Sequence, residues 1–216
     1  MENIKRKGRP SQVSKADIIE CALNLGFSNL SMHSIGKQLG VSATALYRHV
    51  SSKEELISLC CDHVMERVGS SDDKEWTSYL LSFATNFRKA LLSRPGSVEF
   101  VRANQQFTPA SSIIANEVLG IFREQQVDAE VGFMAFASVF TKVTDIVQHQ
   151  ERAEILKNGT EPPSLPQIDT EQLPNLAWLF EQTKPVNYEL YFEDGIKITI
   201  EGLKWFISQH SQHQNR

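Results

Sequence analysis

The sequence predicts an all-α protein in which a small N-terminal helical domain precedes a larger helical body. Apolar residues recur three and four positions apart through most of the 216 residues, whereas no segment alternates apolar and polar residues as a strand does. In addition, serines followed three positions later by an acidic residue, which is a helix-start signal, open two of these segments. Together these observations favour helices throughout.

The first two helices are short and have clear ends. Ser14 and Asp17 form a capping-box pattern, and the helix that follows stops at Gly26. A second helix is predicted from Ser31 to Gly40.

The next two helices follow closely. A third segment begins at Ser42 and is predicted to bury Ala45, Leu46 and Val50. Ser52 opens a fourth, longer helix in an S-x-x-E box, and this helix is predicted to run to Val68.

A boundary between two domains is predicted at the segment GSSDD, residues 69–73. The chain would then consist of a basic arm (1–15), a small helical domain with its connecting helix (16–68), and a larger helical body (69–216). The body is predicted to contain helices near 76–92, 98–106, 111–126, 128–153, 173–182 and 188–208. Residues 158–186 hold five of the eight prolines, so a long loop is expected around the helix at 173–182.

Composition excludes several classes of protein. No run of about 18 apolar residues is present, and the basic N-terminus is not followed by an apolar stretch, so neither a membrane span nor a signal peptide is predicted. Cys21, Cys60 and Cys61 are an odd set without metal-ligand spacing, which fits the reducing cytoplasm. We interpret the adjacent pair as inert, partly buried thiols, with redox sensing as the alternative.

The charge is unevenly distributed along the chain. The net charge is −4, yet residues 1–15 contain five basic residues and one acidic residue, and residues 69–216 carry the acidic excess. Contact with a polyanion is therefore expected only at the N-terminal end.

The second and third helices form a helix-turn-helix pattern. They are joined at the segment LGVS, residues 39–42, where Gly40 permits the left-handed backbone of a sharp turn. Burial of the apolar positions leaves an outward-facing group that consists of Ser42, Ala43, Thr44, Tyr47 and Arg48.

These outward residues suit the major groove of DNA. Small side chains let the backbone approach base edges, and Thr or Ala methyl groups can contact a thymine methyl. Tyr47 and His49 are placed to reach phosphates, and Lys53 lies at a helix N-terminus, which favours a phosphate. Arg48 has two readings, a guanine edge or a phosphate. The alternative for the whole segment is an ordinary solvated helix.

The stretch LSMHSIGKQLGVSATALYRHVSSKEELISL, residues 30–59, resembles the DNA-binding domain of TetR-type transcriptional regulators. The resemblance covers residues 15–65 and lies in the Leu-Gly-Val turn, the following Leu-Tyr-x-His-Val and a lysine beyond it. It implies that Ala43, Thr44 and Tyr47 face the groove, that His49 and Lys53 hold phosphates, and that the residues near DNA include two more, Met32 and His33.

Two later segments, WTSYLLSFATNFRKALLSRPG and YFEDGIKITIEGLKWFI, are similar in pattern to the C-terminal domain of the tetracycline repressor subgroup. This resemblance implies a domain that encloses a small ligand and forms a homodimer through the helices near 128–153 and 188–208. The apolar content of both helices fits such an interface. The alternative is that both are simply core helices.

A ligand pocket is predicted between the body helices. Its proposed residues are Phe83, Phe87, Phe100, Asn104, Phe136, Phe140, Thr144 and Gln148. These aromatics favour a largely apolar ligand. The segment GSVEFVRANQQ lacks the histidine that the tetracycline repressors use for a drug–magnesium chelate, and Phe83 stands where an amide is expected. No metal, cofactor or catalytic residue is therefore predicted, and tetracycline is not expected to be the inducer.

The predicted function is that of a cytoplasmic, homodimeric repressor that a small effector releases from a palindromic operator in double-stranded DNA. Helix four is expected to carry the ligand signal by pivoting. Alternatives are an all-α carrier or enzyme that does not read DNA, and a regulator that activates or acts without a ligand.

Overall fold

The computed structural model describes residues 13–158, 172–182 and 185–213, and within them it confirms the all-α prediction. The helices are Lys15–Leu25 (α1), Met32–Leu39 (α2), Ala43–Leu46 (α3), Lys53–Met65 (α4), Trp76–Leu92 (α5), Ser97–Ala103 (α6), Pro109–Glu124 (α7), Ala129–Asn158 (α8), Pro174–Gln182 (α9) and Tyr188–His213 (α10). A 3-10 turn, Phe27–Asn29, follows α1. Residues 1–12 of the basic arm and residues 159–171 and 183–184 of the predicted loop lie outside the described residues.

Local signals account for the start and end of α1. The Ser14 hydroxyl accepts a hydrogen bond from the Asp17 N–H at 3.2 Å, and the Asp17 carboxylate accepts one from the Ser14 N–H at 2.8 Å. The predicted capping box is therefore present. Gly26 ends the helix with a φ of 75°, a conformation that L-residues rarely adopt.

The start of α4 differs from the predicted S-x-x-E box. The Ser52 hydroxyl accepts the Glu55 N–H at 3.0 Å as predicted. The Glu55 carboxylate, however, accepts the N–H and hydroxyl of Ser51, at 2.7 Å and 2.6 Å, rather than the N–H of Ser52. These hydrogen bonds, with a weaker contribution from Lys15 at 3.3 Å, lower the pKa of Glu55 to about 2. The Glu55 carboxylate therefore holds Ser51, the residue before the N-cap Ser52 that the motif would pair with it.

Replacing Glu55 by glutamine tests this contact through pH. Because the pKa is lower in the folded chain, the stabilisation is present above the ordinary value of 4.5 and is lost as the pH falls towards 2. We expect the variant to be less stable at pH 7 by about 1 kcal/mol, a value reduced by solvent screening, and the difference to shrink below pH 4.5. Thermal unfolding at several pH values measures it. The exposed Glu193→Gln serves as control, and a pH-independent difference at Glu55 would contradict the linkage.

Several body helices have different bounds from those predicted. The predicted run to residue 106 ends at Ala103, and Pro109 begins α7 instead of separating two helices. The reason is that proline is tolerated in the first turn of a helix, here after the N-cap Thr108. Helices α8 and α10 also differ from the prediction, since they continue to Asn158 and His213, beyond the predicted ends.

An ion pair between a buried arginine and an exposed glutamate ties three body helices together. Arg88 of α5 is 7% exposed, and its guanidinium donates to both carboxylate oxygens of Glu189 on α10, at 2.6 Å and 2.9 Å. It also donates to Gln150 of α8 at 3.1 Å. Arg88 lowers the pKa of Glu189 through these bonds. The pairing satisfies most of the buried charge and orients α5, α8 and α10.

The described part of the chain holds no helix that is both long enough and apolar enough to cross a membrane.

Candidate nucleic-acid interface and body cavity

The turn between α2 and α3 is held by backbone contacts around Gly36. Gly40 adopts the left-handed conformation predicted for it, with φ 69° and ψ 29°. The N–H of Val41 then bonds back to the Gly36 carbonyl at 2.9 Å. A Cβ atom at Gly36 would lie 2.7 Å from the Val41 carbonyl oxygen, so the second helix and the turn approach too closely for a side chain. Glycine is required there for packing rather than for its φ angle.

The third helix is shorter than predicted. It contains only Ala43–Leu46, capped by the Ser42 hydroxyl, which accepts the Ala45 N–H at 3.2 Å. Residues 47–49 continue as a tight turn, in which the His49 N–H bonds to the Leu46 carbonyl at 2.9 Å. The four-residue helix and its turn together present the outward residues.

Burial along this segment follows the predicted faces with one adjustment. Leu46 and Val50 are buried, whereas Ala45 is only half-buried. On the outer side Tyr47 is 53% exposed. The other predicted outward side chains are exposed at Ser42, Thr44 and Arg48 and half-buried at Ala43, as is His49. A row of small and polar side chains on α3 and the turn after it therefore faces the solvent, above the buried Leu46 and Val50.

Met32, which is predicted to lie near DNA, has a buried side chain, and its nearness to DNA stays a prediction. Met32 is 8% exposed and belongs to the core beneath α2, because its position in the first turn faces α1 rather than solvent. Its neighbour His33 is exposed. Of this pair, only His33 presents a side chain to a ligand outside the domain.

Lys53 connects the candidate interface to the body through two aromatic rings. It is exposed in the first turn of α4, and its Nζ lies 5.8 Å from the centre of the Phe27 ring. The Phe27 ring in turn packs edge-on against Phe100 of α6, with 5.4 Å between centroids. Phe100, one of the predicted pocket residues, is fully buried and is not among the residues that line the body cavity described below. Its position links the two domains instead.

A polar network also joins the N-terminal domain to the body. Arg94, between α5 and α6, pairs with Glu20 of α1 and donates to Asn24 at 2.9 Å. Glu20 also lies 3.2 Å from His63 of α4. The Arg94 hydrogen bond is the main cause that lowers the pKa of Glu20. His63 therefore shares the Glu20 carboxylate with Arg94 and belongs to the same network.

A cavity of about 440 Å³ opens between α4, α6, α7 and α8. Four of the predicted pocket residues line it, namely Asn104, Phe136, Phe140 and Thr144. Cys61 and Met65 of α4 also line it, so the helix that begins at Lys53 forms part of the cavity wall.

The other predicted α5 aromatics pack behind the residues that line the cavity. Phe83 and Phe87 are 3% and 0% exposed and are not among the lining residues. Phe83 packs on Phe136 at 5.0 Å and Phe87 on Phe140 at 4.9 Å, because α5 lies on the far side of α8 from the cavity. Gln148 likewise does not line it. The two α5 rings support the lining rather than form it.

Several lining residues were missed at the sequence level. These are Cys61, Met65, Val101, Arg102, Gln105, Gln106, Phe107, Ser111, Phe133, Ala137 and Thr141. Phe133 and Ala137 of α8 lie three positions before Phe136 and Phe140, so helical spacing was a usable signal for these two.

The cysteine thiols have the character of core groups. Cys60 and Cys61 are 0% and 4% exposed, and burial raises the pKa of each thiol to about 12. Both are therefore protonated at neutral pH, which opposes redox reactivity. No group of three or more His, Cys, Asp or Glu side chains in the described part of the chain is arranged to hold a metal ion.

Comparisons with known proteins bear on both regions. Residues 19–60 match the family model described as bacterial regulatory proteins, tetR family. An uncharacterized HTH-type transcriptional regulator of Mycobacterium tuberculosis is 27% identical over 149 residues, which are 61% of this chain and 67% of the relative. The class A tetracycline repressor from transposon 1721 in Escherichia coli is 29% identical over 109 residues, 41% of this chain and 50% of that protein.

Solved structures extend the likeness to the body. The TetR family protein ActR of Streptomyces coelicolor superposes with a TM-score of 0.71 in complex with (S)-DNPA, at 20% identity, covering 90% of this chain and 98% of ActR. Its apo structure gives a TM-score of 0.72, again at 20% identity, with 93% and 99% covered. At this identity the likeness establishes the fold of both domains.

The fold and the exposed turn-supported face of α3 define a DNA-binding protein of the helix-turn-helix class. Within that class, residues 19–60 match the model of the tetR family of bacterial regulatory proteins, and tetracycline repressors are among the proteins that the chain resembles.

Proposed function

We propose that the chain is a homodimeric repressor that a small effector releases from a palindromic operator. One observation carries the proposal: α4 belongs to both regions, since it begins at the exposed Lys53 and lines the body cavity with Cys61 and Met65. A molecule in the cavity touches the helix that supports the DNA-reading face. We assign no enzymatic role and expect a cytoplasmic location, where the operator is.

The proposed division is the basic arm 1–15, the reading domain 16–68 and the effector and dimerisation domain 69–216. Residues of the reading face are proposed to act as predicted, with Thr44, Ala43 and Ser42 against base edges. Tyr47, His49 and Lys53 would contact phosphates, and Arg48 a base or a phosphate. His33 is retained as a residue near DNA.

The proposed dimer uses α8 and α10. Tyr191, Ile198 and Trp205 recur seven positions apart on α10 and are 47%, 72% and 67% exposed in the single chain. Large apolar side chains in such a row are costly to leave in water, and a second copy of the same face buries them. The side of α10 that carries Phe192, Ile196 and Ile200 is buried, and α10 packs closely on α8 at Gly195, where a Cβ would lie 3.0 Å from the Lys142 side chain. Two reading helices would then face one side of the duplex.

The proposed signal travels from the cavity to α4 by direct contact. Besides Cys61 and Met65, the Asp62 carboxylate of α4 accepts the N–H of Ala110 at the start of α7, at 2.8 Å. An effector that favours one arrangement of α4 shifts the reading helices by its differential affinity, typically about 1–3 kcal/mol of coupling. The ring contacts from Phe100 through Phe27 to Lys53 offer a second connection.

The proposed effector is small and largely apolar, because four phenylalanines line the cavity. The likeness to ActR supports an occupied body, since that protein is solved with (S)-DNPA bound. Tetracycline remains an unexpected inducer, because the described cavity lining contains neither histidine nor carboxylate for a magnesium chelate.

Tyr47→Ala and Lys53→Ala are expected to separate the two kinds of DNA contact. Tyr47→Ala should abolish operator binding with dimer mass and helical content unchanged, since the exposed ring does not support the core. Lys53→Ala should weaken binding to all duplexes alike and lower the log–log salt slope by about one unit per site. Fluorescence anisotropy across salt concentrations measures both. Operator binding retained by Tyr47→Ala would remove the ring from the interface.

Selection of bound sequences from a random duplex pool tests the function directly. The proposal expects enrichment of an inverted repeat whose half-site centres lie about one helical turn apart. If the folded protein enriches no sequence, DNA reading is rejected and a carrier role for the cavity gains support.

A further inference from the structure

The described lining of the cavity carries positive but no negative charge. Its described residues include the rings of Phe107, Phe133, Phe136 and Phe140, together with amide and hydroxyl side chains. Arg102 is the one charged side chain among these described lining residues, and none of them is a carboxylate. The nearby Glu54 and Glu55 line a different cavity, on the other side of residues 104–106.

Arg102 differs from Arg88 and Arg94, which join helices through ion pairs. Arg88 and Arg94 each pair with a carboxylate, whereas Arg102 has no ion-pair partner within 4.0 Å among the residues that the structure describes. Its side chain is exposed in the last turn of α6, beside the buried Val101 that also lines the cavity. Arg102 therefore lines the cavity without an ion-pair partner in the described part of the chain.

We infer that the effector is an aromatic anion, with a carboxylate or similar acidic group held by Arg102 and its ring system lying among the phenylalanines. This inference rests on the proposed function of the cavity and specifies its ligand class. A guanidinium favours a planar, charged oxygen pair through two parallel N–H donors. The side-chain amides of Asn104, Gln105 and Gln106 add neutral donors on the same wall. A cationic ligand finds no countercharge there.

Two fluorescent probes of the same shape test the inference. They are 1-anilinonaphthalene-8-sulfonate, which carries one negative charge, and N-phenyl-1-naphthylamine, which lacks the sulfonate. The full-length dimer is expected to bind the sulfonate more tightly, and that preference should weaken as salt is raised. Both probes report binding through the rise in their emission.

Arg102→Gln is expected to reduce sulfonate affinity by about fivefold and to leave the neutral probe unchanged, because the exposed charge is partly screened. Arg152→Gln, which removes an exposed charge from α8 outside the cavity lining, is the matched control and should change neither probe. Ala137→Phe fills the cavity and should remove the binding of both probes. Circular dichroism verifies that each variant is folded.

Each outcome decides one claim. If Ala137→Phe removes both probes while Arg102→Gln changes the two equally or not at all, the anion inference fails and the cavity function stands. If Ala137→Phe leaves both affinities intact, the probes bind elsewhere and the proposed effector site itself is rejected. A selective loss of the sulfonate in Arg102→Gln alone supports the inference.

Discussion

Gly36→Val is expected to unfold the helix-turn-helix and to abolish operator binding. The first side-chain carbon alone would lie 2.7 Å from the Val41 carbonyl oxygen and 3.5 Å from the Ala43 nitrogen. Neither atom is the end of a flexible side chain, and the Val41 N–H is bonded to the Gly36 carbonyl at 2.9 Å. Relief therefore requires the turn to move away from α2. We expect a loss of about 3 kcal/mol, at the upper end of the usual cost of overpacking.

Chemical unfolding of the whole protein, followed with operator anisotropy, measures this loss. Gly120→Val is the matched control, because Gly120 also lies within a helix but a Cβ there has no neighbour within 4 Å. Its expected change is below about 1 kcal/mol, since helix propensity slightly favours valine over glycine. Equal stability of the two variants would show that the turn yields easily, and the close approach would then not specify the helix-turn-helix.

The N-terminal domain could be predicted well because its signals are local. The Ser14 cap, the left-handed Gly40 and the alternation of buried Leu46 with exposed Tyr47 each depend on a few neighbouring residues. The burial of the Met32 side chain was not predicted, because it depends on how α2 packs on its neighbours, which the sequence pattern around it does not contain. The short α3 has a similar cause, since the tight turn after Leu46 is set by tertiary packing.

The cavity was predicted less well because aromatic spacing does not distinguish two faces of a helix layer. Phe83 and Phe87 repeat at helical spacing just as Phe136 and Phe140 do, yet the first pair lies behind the second. Both pairs are apolar, and neither sequence segment shows beside which of the two helices the cavity lies. Cys61 and Met65 were missed for the same reason, since in sequence they belong to the buried stripe of α4.

Placing glutamates at Ile198 and Trp205 is expected to split the dimer into folded monomers. Both side chains are mostly exposed in the single chain, so the substitutions remove no core contact there. In the proposed two-fold dimer each chain contributes both residues to the interface, so four carboxylates would be buried there. A buried carboxylate without a partner is strongly unfavourable. We expect the dissociation constant to rise by more than about a thousandfold, or ~4 kcal/mol. Light scattering after size exclusion measures the mass.

Ile113→Glu separates this interface from any other exposed apolar site. Ile113 of α7 is 61% exposed, comparable to Trp205, but it lies outside α8 and α10. It should leave the dimer mass unchanged, and a monomer produced by this variant alone would move the interface to another face. The α10 monomer should keep its helical content yet bind DNA with about half the wild-type log–log salt slope, because one reading domain contacts half the phosphates. Loss of the second half-site, rather than damage to the first, then accounts for the lost operator affinity.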